Sequence, residues 1–224
     1  MEGKYRDRVE AGQVLASQLG AYANRSDVLV LALPRGGVPV ASEIARVLHA
    51  PMDIFLVRKL GVPGQEELAM GAIASGGVRV LNRNVVDSME IPQDVIDAVA
   101  AEEQRELERR EKAYRGDRPL PEIRGRTVIL VDDGLATGAT MRAAVSAIRQ
   151  QQPARLVVAV PVGPEDSCEE LRRAADEVVC PMRPEPFYAI GLWYEDFAQT
   201  TDSEVRDLLA LAQAQQRVAV EGGA

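Results

Sequence analysis

Residues 128 to 140 read Val-Ile-Leu-Val-Asp-Asp-Gly-Leu-Ala-Thr-Gly-Ala-Thr. Val128 to Val131 is an apolar run of strand length, and Asp132 and Asp133 stand at its C-terminal end. A turn of small residues, Gly134 to Thr140, then opens a helix that continues through Met141, Val145 and Ile148. The first N–H groups of a helix have no partner within it, and its dipole places partial positive charge there. Such a turn suits a phosphate. Two carboxylates beside it can accept hydrogen bonds from neighbouring sugar hydroxyls. The stretch therefore reads as a site for a phosphorylated sugar.

The surrounding chain alternates strands and helices. Val28 to Leu33 is an apolar strand, Val38 to Leu48 has helical spacing, and Met52 to Val57 is the next strand. A βαβ unit of this kind implies a parallel sheet. Residues 58 to 70 read as a loop, and Ala72–Ser75 and Val78–Leu81 flank Gly76-Gly77 as a short hairpin. Pro92 starts a long helix to about Tyr114. Its mixed charges, with Glu106 and Arg110 four residues apart, read as a solvated face. Residues 155–162, 165–175 and 177–180 continue the alternation as strand, helix and strand, and Ser203 starts a last helix to about Gln215 with 216–224 as a frayed tail. The pattern predicts an open, doubly wound, mostly parallel α/β sheet.

The 224 residues suit one domain. A net charge of -8 disfavours a nucleic-acid partner, and no DNA partner is expected. No apolar run reaches the roughly 20 residues that span a bilayer, so no membrane partner is expected. Met1 to Arg8 leads into no signal-peptide core, and Cys168 and Cys180 lack metal spacing, so a cytoplasmic setting is expected. His49, the one histidine, lies far in sequence from any motif and argues against a histidine-based metal site or triad.

The 128–140 stretch resembles the phosphoribosyl-pyrophosphate (PRPP) loop of the type I phosphoribosyltransferases. That loop has a hydrophobic strand, two acidic residues, three variable residues and Thr-Gly-X-Thr. Every fixed element is present here, from Asp132 and Asp133 to Thr137, Gly138 and Thr140. The resemblance implies that fold, with a core of about residues 27–180 and a small hood from about 1–26 and 181–215. It implies magnesium-dependent transfer of the 5-phosphoribosyl group from PRPP to a nitrogenous base or related small-molecule acceptor. A non-catalytic PRPP- or nucleotide-binding regulator on the same fold is the alternative. A homodimer is a further expectation of the family.

Residue roles follow from the same resemblance. Asp132 and Asp133 would hold the ribose hydroxyls, and Ala136, Thr137, Gly138, Ala139 and Thr140 the 5′-phosphate. Family members bind pyrophosphate on a short loop after the first strand, here Arg35, Gly36 and Gly37. Arg58 and Lys59, at the end of the second strand, would reach the same pyrophosphate, and Lys59 would steady the charge of the leaving group. Residues 60–70 would close as a lid. Magnesium would be held mainly by PRPP near Asp132 and Asp133, with no direct protein ligand set. The acceptor is less defined. Hypoxanthine-guanine enzymes typically carry an aspartate where this chain has Ala136. The aromatic run 187–197 is the candidate acceptor hood, with Leu135, Trp193 and Tyr194 as candidate pocket residues.

Overall fold

The computed structural model describes residues 3–221, with side chains as far as 216. In chain order the elements are α1 (Arg8–Gln18), β1 (Val28–Ala32), α2 (Gly37–Leu48), β2 (Met52–Ile54), β3 (Val57–Val62), β4 (Gln65–Ala74), β5 (Val78–Leu81) and α3 (Arg83–Ser88). There follow α4 (Gln93–Arg115), β6 (Thr127–Val131), α5 (Ala139–Gln150), β7 (Arg155–Ala159), α6 (Glu165–Arg172), β8 (Glu177–Val179) and α7 (Asp202–Glu221).

The central sheet has the order β2-β1-β6-β7-β8, with every pair parallel. Its strands read as continuous apolar runs because both faces are covered. Val28, Val30 and Ala32 of β1 point into one layer with Leu15, Ile44 and Leu209. Leu29 and Leu31 point into the other with Val145, Ile148 and Leu171. Each of the valine, leucine and isoleucine side chains among these contributes roughly 1.5–3 kcal/mol by leaving water. The chain leaves β1 towards β2 and later returns to β1's other side as β6. This reversal makes the β1–β6 gap the switch point of the sheet, where ligands of open α/β folds gather.

The run Met52–Val57, expected as one strand, is divided. β2 ends at Ile54, and Val57 begins a separate antiparallel sheet of order β3-β4-β5. Residues 58–70, expected as a loop, are mostly strand: β3 and β4 pair from Val57↔Ala74 to Val62↔Gln65 around a turn at Pro63-Gly64. Glycines and charges hid this hairpin from a reading that relied on apolar alternation. Leu60 and Met70 nevertheless anchor it in the core. The short helix α3 was not expected, and α7 continues to Glu221 through most of the expected tail. Residues 222–224 of that tail lie outside the described residues.

A buried ion pair fixes α4 to the sheet. Arg115 donates to both carboxylate oxygens of Asp53 at 3.0 and 3.2 Å and to the Ile54 carbonyl at 3.0 Å. The N-terminal segment meets residues 193–196 over the strand termini. Tyr5 N–H donates to the Trp193 carbonyl at 2.9 Å, and Glu195 and Asp196 N–H donate back to Tyr5 and Arg6.

Candidate active site at the strand ends

β1 and β6 run in register, Ala32 beside Val131, so the loops that follow them leave the sheet side by side. Leu33 N–H donates to the Val131 carbonyl at 2.9 Å and holds the two loops together. The first loop contains a cis peptide between Pro34 and Arg35. Its glycines are required by proximity. A Cβ on Gly36 would fall 2.0 Å from an Asp133 carboxylate oxygen, and one on Gly37 would fall 2.7 Å from the Val131 carbonyl oxygen. The backbone of 36–37 thus lies directly against the acidic pair, which no side chain would permit.

Asp132 and Asp133 differ in their surroundings. Asp132 is partly buried, and its carboxylate accepts the Asp133 N–H at 2.9 Å. Burial first, and the charge of Asp133 second, raise its pKa well above the usual carboxylate range. Asp133 is buried and paired. Arg8, from the first turn of α1, meets its Oδ2 through Nε at 2.9 Å and Nη2 at 2.8 Å. Burial raises the Asp133 pKa, and Arg8 opposes the rise. Asp133 also presents its carbonyl to the Tyr194 hydroxyl at 2.6 Å.

Arg8 is the site residue that sequence reasoning missed. It stands 125 positions from Asp133, in the segment 1–26 expected to form part of the hood. Its guanidinium lies 4.0 Å from the centroid of the Phe197 ring and donates to the Ala198 carbonyl at 2.7 Å. Asp7 orders the start of this helix by accepting the Glu10 N–H at 2.8 Å.

The second loop ends in α5. Gly138 takes φ 71° and starts the helix without a side-chain cap. The first-turn amides of α5 therefore have no helical partner. Ala136, Thr137, Ala139 and Thr140 are exposed around them, and Gly138 is buried. Two contacts brace the loop from behind: Ser167 hydroxyl donates to the Ala136 carbonyl at 3.0 Å, and Arg142 to the Thr137 carbonyl at 2.7 Å.

The cations expected at pyrophosphate do not converge. Strand alternation sends Arg58 and Lys59 to opposite faces of β3. Arg58 pairs with Glu103 of α4 at 2.6 Å. Lys59 lines a cleft of about 430 Å³ between the small sheet and α5, shared with Thr140, Arg142 and Ser146. Its nearest carboxylate is Glu67 at 3.4 Å, and both side chains are exposed. Arg35 extends towards α4 and α7 and approaches Asp202 at 3.5 Å.

The acceptor candidates differ in burial. Leu135 is 2% exposed and belongs to the core with Met141 and Val160. Tyr194 is 3% exposed, stacked between Tyr5 and Phe197, with its hydroxyl committed to the Asp133 carbonyl. Burial pushes its pKa up. Trp193 is partly buried against the Tyr5–Tyr194 cluster. Tyr194 and part of Trp193 thus pack against the N-terminal segment, while Tyr188 of the same aromatic run is 79% exposed.

Comparison with known proteins agrees with this architecture. Residues 63–191 match the model of the phosphoribosyl transferase domain. A Mycobacterium tuberculosis protein, named provisionally as a phosphoribosyl transferase, is 47% identical over 201 residues, 90% of this chain. The chain spans 45% of that relative's length. A crystal structure from Thermus thermophilus superposes with a TM-score of 0.82 at 43% identity, covering 92% of this chain and 97% of that one. A purine phosphoribosyltransferase from Pyrococcus horikoshii shares the fold at a TM-score of 0.50 and 16% identity, over 90% and 97% of the two chains. On the shared sheet, the strand-end loops and these matches, the chain belongs to the phosphoribosyl transferase domain family.

Proposed function

We propose that the protein transfers the 5-phosphoribosyl group from PRPP to a nitrogenous base or related acceptor, releasing pyrophosphate. The observation that carries the reading is the contact between the Gly36–Gly37 backbone and the Asp132–Asp133 pair at the switch point of the sheet. One ligand laid across that contact would meet phosphate-binding amides at the start of α5, carboxylates at its centre and the 34–37 backbone at its far end. A ribose with phosphate on one side and pyrophosphate on the other has that sequence of groups.

In this reading Asp132 accepts hydrogen bonds from the ribose hydroxyls in its charged form, which burial and the charge of Asp133 disfavour in the protein alone and a bound cation would favour. Asp133 is held by Arg8 and supports the shape of the site. The amides and hydroxyls of 137–140 hold the 5′-phosphate. Lys59, across the cleft from Thr140, supplies a mobile positive charge. Among the described residues no group of three or more metal-ligating side chains occurs. Two adjacent carboxylates offer oxygen donors alone, which fits magnesium carried in largely by a diphosphate. Bound there, magnesium would neutralise charge on the leaving pyrophosphate.

A PRPP-binding regulator is the second reading, favoured by the pairing of Asp133 with Arg8 and the burial of Tyr194. Calorimetric titration with PRPP and magnesium tests what both readings share. Wild type should bind, and Asp132→Asn, which leaves the Arg8 pair in place, should not. A mass-spectrometric screen of PRPP against many bases then separates them: pyrophosphate release with a ribosylated product supports the enzyme, and binding without turnover supports the regulator. Wild type that ignores PRPP defeats both.

A further inference from the structure

On the α4 and α7 side of the 34–37 loop lies a separate cavity of about 270 Å³, lined by Arg35, Leu56, Arg109, Arg110, Tyr114 and Asp202. The charges of α4 form the solvated, ion-paired face expected of them, and two of its exposed arginines, Arg109 and Arg110, also border this cavity. Arg109 and Arg110 share a single counter-ion, Glu106, each through Nε at 2.7 Å. Those bonds hold the pKa of the Glu106 carboxyl down at about 2. Each guanidinium has five N–H donors, so one shared carboxylate leaves most of them unspent. Asp202, at the start of α7, accepts the Tyr114 hydroxyl at 2.7 Å and faces Arg35 at 3.5 Å. Three guanidiniums therefore surround a concave space with two carboxylates near it.

We propose that Arg35, Arg109, Arg110 and the Tyr114 hydroxyl form a second anion site, for a small condensed phosphate such as inorganic pyrophosphate, with Asp202 as its built-in competitor. Size selects the class of ligand. The cavity, about 270 Å³ and lined by three arginines and a tyrosine, suits a small, multiply charged anion. Chemistry selects it again, because planar guanidinium forks pair with phosphate oxygens two at a time. The site stands whether or not the strand-end crevice binds PRPP.

Magnesium-free calorimetry with sodium pyrophosphate tests the proposal. Arg109→Gln with Arg110→Gln should weaken binding about tenfold or more, since each removes charge-assisted hydrogen bonds. Asp202→Asn should tighten it. Arg105→Gln with Arg173→Gln removes the same charge elsewhere on the exposed surface and should leave the affinity unchanged. The proposal is overturned if wild type binds no pyrophosphate, or if the α4 pair of substitutions has no effect. It is overturned equally if the charge-matched control weakens binding as much. Asp132→Asn separates the two sites. Loss of PRPP binding with pyrophosphate binding retained supports the second site. Loss of pyrophosphate binding in Asp132→Asn would assign it to the strand-end crevice and reject the second site, while leaving the transferase reading standing.

Discussion

Arg8→Ala is expected to be among the most costly single changes near the site. The side chains of Arg8 and Asp133 are 11% and 12% exposed, and they meet at 2.8 and 2.9 Å. Removing one partner of a buried pair leaves an uncompensated charge and costs roughly 3–5 kcal/mol. The residual exposure of this pair argues for the lower end. The lost packing of the guanidinium on Phe197 adds about 0.5–1 kcal/mol. An overall loss of about 3.5–4 kcal/mol would lower Tm by about 7–16 °C in a chain of this size. Urea unfolding followed by circular dichroism measures the loss, and a double-mutant cycle with Asp133→Asn assigns it. In the Asp133→Asn background Arg8→Ala should cost far less, because no charge is left stranded. The pH dependence has a definite sign. Without Arg8 the folded-state pKa of Asp133 rises further above its unfolded value, so the folded chain binds more protons between the two values. Stability of the variant should then fall as pH rises through that window. A loss below about 0.5 kcal/mol, the range of an exposed ion pair, would refute the reasoning.

Asp132→Asn should stabilise the ligand-free protein while removing PRPP binding. The Asp132 pKa is raised, so its charged form opposes folding above the usual carboxylate range, and the gain in Tm should grow from about pH 4 towards neutrality. A Tm unchanged across that range would count against it. Gly36→Ala would set a Cβ 2.0 Å from Asp133, so the loop or the carboxylate must move. The expected outcome is a stable fold, by circular dichroism, with PRPP affinity reduced at least about tenfold, and retention of full affinity would show that the loop contact is not part of the site.

Much of the core could be read from local pattern. The apolar runs of β1, β6 and β7 are buried on both faces, and such strands announce themselves without knowledge of their neighbours. The Asp-Asp and Thr-Gly-X-Thr elements are contiguous, so their geometry follows from one strand, one turn and one helix start. The β3–β4 hairpin was not legible, because its register is set by the core anchors Leu60 and Met70 and by packing on α4. The aromatic run was legible as a cluster, but the packing of Tyr194 on Tyr5 was not, because the two lie 189 positions apart.

The sequence by itself determined a parallel α/β sheet and a glycine-threonine turn into a helix at the end of β6, since both depend on residues close to one another along the chain. Tertiary structure alone decided which residues complete the site. It brought Gly36 against Asp133, placed Arg8 on the same carboxylate from 125 residues away, and turned Arg35 towards Arg109 and Arg110. Hydrophobic pattern specifies which face of an element is buried. It does not specify which distant charge will be there to compensate a buried carboxylate, and only the packed chain supplies that partner.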